Sequence, residues 1–335
     1  MEEKVLHQLI DLMKSGQSTR DTAHKTAKIL VKAIKSQREN LRALVIISGL
    51  KNIGRQIWAL DPLAFAITNI IKRVISLTRI HSLLELEDNL INHLSRTPSK
   101  DTTPPSTFDN YLEYFDALDE LLGQFTDVYA ELSKYLLPYI NNEEVILTWG
   151  YSETILQCLI LACQGGKKII VLVANNNLKN DGPAMVQSLV ANGIEAYRVE
   201  DASLSSVMQK VNKVIFNCYG LMADGGVLGY SGLYALGMIA KEYSVPVVVV
   251  TPMYKVTPRY SFGQATFNKI ADPELFFKRG NGQGEEAADV VVPLFDYIPS
   301  EYVSLIISQD GEHTTDYVYR LFKDMYSKEE YLLDF

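Results

Sequence analysis

Gly150-Tyr151-Ser152 is the first place in the chain where residue types point to a reaction. A glycine-flanked serine between an apolar strand and a helix is the layout of a hydrolase nucleophile elbow, where a strained turn exposes the hydroxyl. The pattern is incomplete, because Thr154 stands where the second glycine belongs. Ser152 reads more simply as a helix N-cap. The second place is Asp224-Gly225-Gly226-Val227-Leu228-Gly229, followed by Ser231-Gly232 and a helical pattern. Such a loop can aim backbone N–H groups and a helix dipole at an anion. It matches neither the dinucleotide GxGxxG nor a P-loop, so a tight glycine turn is the simpler reading. Of the five histidines, His7, His24, His81 and His93 fall in the first part of the chain and His313 near the end. Cys158 and Cys163 sit five apart on an expected helix and suit core packing. The three cysteines lack CxxC spacing, which excludes a disulfide framework and a zinc site of the usual pattern. Residues 280–286 have linker chemistry, with no strand leading into them. No catalytic constellation emerges, and no cofactor or metal is expected.

Lys25, Lys28, Lys32, Lys35, Arg38 and Arg42 recur at three- and four-residue steps. The plain reading is a solvated helix face. The functional reading is an edge that docks an acidic protein partner through steering and rim contacts.

The elements around these residues change character along the chain. Ala23, Ala27, Leu30, Val31 and Ile34 form one apolar stripe at helical spacing. A second helix runs through Leu44, Ile47, Ile53 and Ile57. Asp61-Pro62 reads as an N-cap with proline at the first helical position, opening a helix through Ile67, Ile70, Ile71, Val74 and Ile75. From Glu143, short apolar strands alternate with helices: strands at 145–149, 168–174, 194–199, 213–217 and 245–251, with two more at 289–292 and 303–308. This alternation predicts a largely parallel sheet covered on both faces. The fold class is α/β, with an N-terminal helical domain over 1–142 and a Rossmann-like domain over 143–335. A mobile loop at 95–107 and a connecting helix at about 109–136 belong to the first part.

The chain has 335 residues, of which 47% are hydrophobic, enough to bury a core. Net charge is −8, but residues 1–107 carry 16 Lys and Arg against 10 Asp and Glu. The acidic balance disfavours nucleic acid as a partner. No apolar run approaches the roughly 18 residues that a membrane span needs. The start, Met1-Glu2-Glu3-Lys4, lacks the features of a signal peptide. A reduced, cytoplasmic protein without membrane contact is expected.

Val145-Ile-Leu-Thr-Trp-Gly-Tyr-Ser152, Asn212-Lys-Val-Ile215, Met222-Ala-Asp-Gly-Gly226 and Pro252-Met-Tyr-Lys-Val-Thr-Pro258 resemble the family of initiation factor 2B alpha, beta and delta subunits. Phe295-Asp-Tyr-Ile-Pro-Ser-Glu-Tyr-Val-Ser-Leu305, Tyr317-Val-Tyr-Arg-Leu-Phe322 and Tyr326-Ser-Lys-Glu-Glu-Tyr-Leu332 are most similar to its beta members. Asp61-Pro62-Leu63 and Asn69-Ile-Ile-Lys-Arg-Val74 resemble the family's N-terminal domain.

The resemblance implies a non-catalytic regulatory subunit of the guanine-nucleotide exchange factor for translation initiation factor 2. Its partners would be the alpha, gamma, delta and epsilon subunits of a hetero-decamer, and initiation factor 2 through its alpha subunit, whose phosphorylation it would help sense. Sugar-phosphate isomerases, such as those acting on methylthioribose phosphate, share this fold and carry a catalytic cysteine and aspartate. By the resemblance these fall at Gly150 and Tyr219, and a phosphate-contacting arginine falls at Asn177. Losing the thiol and the carboxylate removes the groups that move protons between sugar carbons. Cys218 lies beside the aspartate position, not at that of the cysteine. The alternative is an isomerase-like or metabolite-binding homologue. Its vestigial anion pocket would be lined by Ser152, Asp224, Gly225, Gly226, Ser231, Gly232 and Lys255. Lys25, Lys28, Lys32 and Lys35 are the expected docking residues. Phe295, Tyr297, Tyr302, Tyr317 and Tyr319 are the expected subunit interface.

Overall fold

The computed structural model describes residues 2–36, 42–95, 111–176, 178–264, 266, 268–272, 291–326, 328–331 and 333, with backbone alone at 83–95 and 111. The chain divides into two compact units, Met1–Asp127 with Phe322–Phe335, and Val128–Leu321.

The first unit is helical. Helix α1 (Glu2–Lys14) buries Val5, Leu9 and Leu12. Helix α2 (Thr19–Lys35) starts at Ser18, whose hydroxyl accepts from the Asp21 N–H, and buries the expected stripe from Ala23 to Ile34. Helix α3 (Ala43–Leu60) follows. Helix α4 runs from Phe65 to Ser95. It begins later than Asp61-Pro62 predicts, because the Asp61 carboxylate instead closes a turn on the Leu63 N–H at 3.1 Å. Ile67, Ile70, Ile71, Val74 and Ile75 are all buried, as are Thr68, Asn69, Lys72 and Thr78. A helix buried on several sides explains why its apolar pattern is less one-sided than that of a surface helix.

The expected connecting helix is two helices, α5 (Tyr111–Gly123) and α6 (Val128–Leu136). The break falls at Gly123, the residue with the least intrinsic preference for helix after proline. The buried Phe125 follows, its carbonyl accepting from Arg20 at 2.7 Å. The end of the chain belongs to the helical unit through Arg73, which donates to the Met325 carbonyl at 2.6 Å. Arg79 also donates to the fully buried Glu330 carboxylate at 3.1 and 2.9 Å. The expected loop at 95–107 lies outside the described residues beyond Ser95.

The second unit holds a seven-stranded sheet in the order β10-β9-β7-β4-β1-β2-β3. Its strands are β1 (Glu144–Trp149), β2 (Ile169–Ala174), β3 (Glu195–Val199), β4 (Lys213–Phe216), β7 (Val247–Val250), β9 (Leu305–Ser308) and β10 (Gly311–His313). All neighbours pair in parallel except β9 and β10. Helices α7 (Glu153–Gln164), α8 (Gly182–Ala191), α9 (Leu204–Met208) and α10 (Leu233–Glu242) fall between the strands. Strand order reverses between β1 and β4, so the crevice beyond their carboxyl ends is where such a sheet presents ligand-binding groups. Ile146, Val171, Val173, Ile215, Val248 and Ile307 share one core. The nearly continuous apolar runs that predicted buried parallel strands are therefore the core itself.

A second sheet was not predicted. Strands β5 (Gly220–Leu221), β6 (Val227–Tyr230) and β8 (Phe295–Ile298) form an antiparallel sheet in that order. Of the strand expected at 289–292, residues 289 and 290 lie outside the described residues; Val291 and Val292 are in no strand, and β8 begins at Phe295. After β10 come a short 3-10 turn, Thr315–Tyr317, and α11 (Val318–Met325). A last turn of helix, α12, covers Lys328–Tyr331.

Candidate functional site

At the carboxyl ends of β1, β4 and β7, three side chains form a relay. Ser152 is the N-cap of α7, its hydroxyl accepting from the Ile155 N–H at a long 3.5 Å. The Asn217 amide, just past β4, donates to the same hydroxyl at 3.5 Å. Lys255, in the 3-10 turn after β7, donates to the Asn217 Oδ1 at 3.0 Å and to the Cys218 carbonyl at 2.6 Å. Lys255 is 4% exposed. Burial pushes its ammonium from 10.5 down to about 8, and the charge of Lys179 pushes the same way. Desolvation disfavours the charged form of an amine, and two neutral oxygens offset only part of that cost.

Cys218 is sealed beneath this relay. Its thiol meets the Thr251 hydroxyl at 3.2 Å, and burial raises its pKa above the ordinary value. A thiol held protonated is a poor nucleophile. The position that resemblance assigns to a catalytic cysteine is closed in a different way. Gly150 has φ +53°, and a Cβ there would lie 2.5 Å from Asp181 Oδ1. That oxygen accepts from the Tyr151 N–H at 3.0 Å, and burial raises the pKa of the Asp181 carboxyl. Tyr219, at the position assigned to the aspartate, packs on Phe295 at 4.6 Å between centroids and edge-on to Tyr230 at 6.2 Å. The ammonium of Lys179 sits 3.7 Å above the Tyr230 ring, a cation–π geometry. Asn177 lies outside the described residues.

The glycine loop does a different job. Asp224, Gly225 and Gly226 turn the chain from β5 into β6: the Asp224 Oδ1 accepts from the Gly226 N–H at 3.0 Å, and Met222 donates to the Gly226 carbonyl at 2.9 Å. The Tyr297 hydroxyl, from β8, donates to the Asp224 Oδ2 at 2.8 Å, and its ring lies directly against Gly226. Ser231 and Gly232 lead into α10, the Ser231 N–H meeting the Leu294 carbonyl at 3.0 Å. The start of α10, where an anion would be attracted, already holds one. The Asp296 carboxylate accepts from the Gly232 and Tyr234 N–H groups at 2.7 and 3.2 Å.

The seven residues expected in one pocket therefore fall into separate networks. Ser152 and Lys255 are joined through Asn217. Asp224, Gly225 and Gly226 are a locked turn, and Ser231 and Gly232 belong to a helix start capped from within. Sequence reasoning missed Asn217, Asp296 and Tyr297 as the residues that decide this. A carboxylate followed by an aromatic on a late strand carries no local sign of capping a helix earlier in the chain.

The expected interface residues divide similarly. Phe295 is 3% exposed and stacked on Tyr230 at 5.3 Å, while Tyr297 is half-buried with its hydroxyl held by Asp224. Tyr302 lies half-buried, edge-on to Tyr234 at 5.5 Å with the Lys241 ammonium 4.6 Å from its ring centroid. Tyr317 and Tyr319 are exposed, and the His313 ring stacks on Tyr317 at 5.1 Å.

Of the docking lysines, Lys25, Lys28 and Lys32 are exposed. Lys35 is not free: its ammonium lies 2.6 Å from Asp119 of α5 and 5.5 Å from the Phe115 ring centroid. Arg38 lies outside the described residues. Among the described residues, no group of three or more His, Cys, Asp or Glu could hold a metal ion. No helix among them is long and apolar enough to cross a membrane.

Similarity to known proteins follows the fold. The chain is 32% identical over 220 residues to the translation initiation factor eIF2B subunit beta of Dictyostelium discoideum, an alignment covering 65% of this chain and 56% of that protein. The chain thus spans little more than half the length of this curated relative. The crystal structure of eIF2B beta from Chaetomium thermophilum superposes with a TM-score of 0.76 at 20% identity, covering 98% of this chain and 94% of that one. A chain of the tetrameric eIF2B-beta2-delta2 complex from C. thermophilum superposes at 0.73 and 20% identity, covering 97% and 96%. These structural likenesses establish the helical-plus-parallel-sheet architecture. The family described as the Initiation factor 2 subunit family matches residues 16–315, and the chain belongs to it.

Proposed function

We propose that the chain is a non-catalytic regulatory subunit of a cytoplasmic guanine-nucleotide exchange factor for translation initiation factor 2. It would scaffold the complex beside alpha, gamma, delta and epsilon subunits and help sense phosphorylation of the alpha subunit of initiation factor 2. The observation that carries this reading is the family match across residues 16–315, joined to the likeness to beta subunits. The strand ends support it. A side chain at Gly150 would collide with Asp181, the Cys218 thiol is sealed and protonated, and Tyr219 is packed among aromatics. None of these offers the acid–base pair that isomerisation requires. Native mass spectrometry of complexes recovered through this chain from its own cells tests the reading. Four other subunits in a decameric mass are expected, and a bare homodimer would overturn it.

A second reading, a regulatory metabolite site, is favoured by one observation. The Trp149 Nε1, on a ring that lies against Gly232, and the Asn176 Oδ1, on a side chain beside Gly150, are buried with no hydrogen-bond partner among the described residues. Buried polar groups of this kind usually have a partner. A sugar phosphate that raises the melting temperature of the wild type but not of Lys255→Met would support this reading. No shift with sugar phosphates or nucleotides would dismiss it.

A further inference from the structure

Strand β8 lies at the edge of the three-stranded sheet, with β6 on its one paired side. Its outer edge presents the N–H and C=O groups of Phe295 and Tyr297, two residues apart and so roughly 7 Å from each other. Among the described residues no strand pairs with this edge. Two side-chain amides do. The Asn268 amide accepts from the Phe295 N–H at 3.1 Å and donates to the Phe295 carbonyl at 2.7 Å. The Gln264 amide does the same at Tyr297, accepting at 2.9 Å and donating at 2.5 Å. Each amide makes the two-point pairing that a peptide group of a neighbouring strand would make.

The intervening turn keeps the two amides in register. The Asn268 Nδ2 also donates to the Gln264 carbonyl at 3.2 Å, the Thr266 N–H to the Gly263 carbonyl at 3.2 Å, and the Phe262 N–H to the Thr266 hydroxyl at 3.2 Å. Towards the start of β8 the main chain continues the cover, with Leu294 donating to the Lys269 carbonyl at 2.8 Å and Ala271 to the Val292 carbonyl at 2.7 Å. The surroundings are adhesive: Phe262, Ile270 and Val291 are 90%, 70% and 69% exposed. An open strand edge flanked by exposed apolar side chains is a template for pairing with another chain.

We propose that Gln264 and Asn268 guard the β8 edge against strand addition by a second copy of this chain. An antiparallel edge is self-complementary. Two copies related by a two-fold axis would pair Phe295 and Tyr297 of one with the same residues of the other. The amides deny that pairing while adding no backbone ladder of their own. This inference does not depend on the proposed regulatory role.

The test compares the purified full chain with Q264A/N268A and Q264E/N268D by sedimentation velocity and residue-resolved amide exchange over a wide concentration range. In dilute solution the double alanine variant should keep the wild-type mass, with exchange at the Phe295 and Tyr297 amides faster by on the order of tenfold. On concentration its mass should double relative to wild type, and those two amides should become protected again. The double acid variant should stay at the wild-type mass, because its carboxylates would face one another across the pairing edge. A double alanine variant that keeps the wild-type mass when concentrated would overturn the proposal. So would association of the acid variant to the same degree, or association that leaves the two amides unprotected. If the double alanine variant does not fold, N268A is read in the same way. Its failure to fold would make the amides structural and also overturn the proposal, since a guard is dispensable for folding.

Discussion

The glycine turn and the lysine relay were expected to line one pocket, and their local physics is opposite. In the turn the charged groups are matched from within: Asp224 by the Tyr297 hydroxyl and the Gly226 N–H, and the start of α10 by Asp296. In the relay a buried lysine is held by two neutral oxygens, with its pKa depressed and a second cation adding to the strain. A matched network needs no ligand to explain it. A buried amine without a carboxylate partner is the arrangement that anions or functional constraints account for. The difference shows that glycine-rich spacing marks a tight backbone here, while the unmatched charge lies at Lys255.

The largest expected effect comes from breaking the matched side. Gly232 has φ +102°, and a Cβ there would lie 2.4 Å from the Trp149 ring. Gly232→Ala should destabilise the chain by about 3 kcal/mol, adding left-handed backbone strain to overpacking. Thermal or urea unfolding reads it. A loss below 1 kcal/mol would mean that the turn is looser than its geometry implies.

The relay should reveal itself through pH. The folded-state pKa of Lys255 is about 8, below its ordinary 10.5, so the folded protein disfavours the charged form. That penalty is fully present below pH 8 and is relieved as pH rises towards 10.5. Stability of wild type relative to Lys255→Met should therefore rise over that window, by at most about 1.4 kcal/mol per pH unit. Urea titrations of both proteins from pH 7 to 10 measure the difference. A flat difference would place Lys255 in ordinary solvation and erase the contrast with the turn.

Asp296 gives an intermediate test. Asp296→Ala leaves the Gly232 and Tyr234 N–H groups at the start of α10 without their carboxylate. A loss of about 1–2 kcal/mol is expected, the usual range for removing a helix cap. If added phosphate or sulfate restored stability to this variant but did nothing for wild type, Asp296 would be acting as a built-in substitute for an anion. No loss at all would show that the helix start is capped by other means.

How much of this was legible follows from the range over which each signal acts. The parallel sheet could be read because Ile146, Val171 and Val248 sit in apolar strands and helices of regular spacing separate them. The β5-β6-β8 sheet could not. Strand β5 is two residues long, and β8 returns from far along the chain to pair with β6. The break after Gly123 was visible as a glycine but was outweighed by the apolar spacing on either side. At the site, Ser152 as an N-cap and the glycine turn were the readings that local chemistry supports on its own. Asn217, Asp296 and Tyr297 act across long sequence separations, where spacing carries no information about partners.

The smallest effect concerns the lysine stripe, where the same contrast between matched and unmatched charge recurs. Periodicity places Lys25, Lys28, Lys32 and Lys35 on one face, yet among the described residues only Lys35 is closed by a carboxylate, Asp119 at 2.6 Å. Its side chain is 32% exposed, so the pair is screened, and Lys35→Ala should cost about 0.5 kcal/mol. Lys25 donates to the neutral Gln17 amide at 2.5 Å, and Lys28 and Lys32 are exposed, so their charges face solvent. Reversing those three should alter stability by less than about 0.5 kcal/mol, as for most surface changes. If this face docks initiation factor 2, the triple reversal should slow association and flatten its dependence on salt, because steering acts through unpaired charge. Lys35→Ala should leave the rate nearly unchanged, since its charge is already cancelled at Asp119. Equal slowing by both variants would mean that the ion pair opens on binding, and Lys35 would rejoin the docking face.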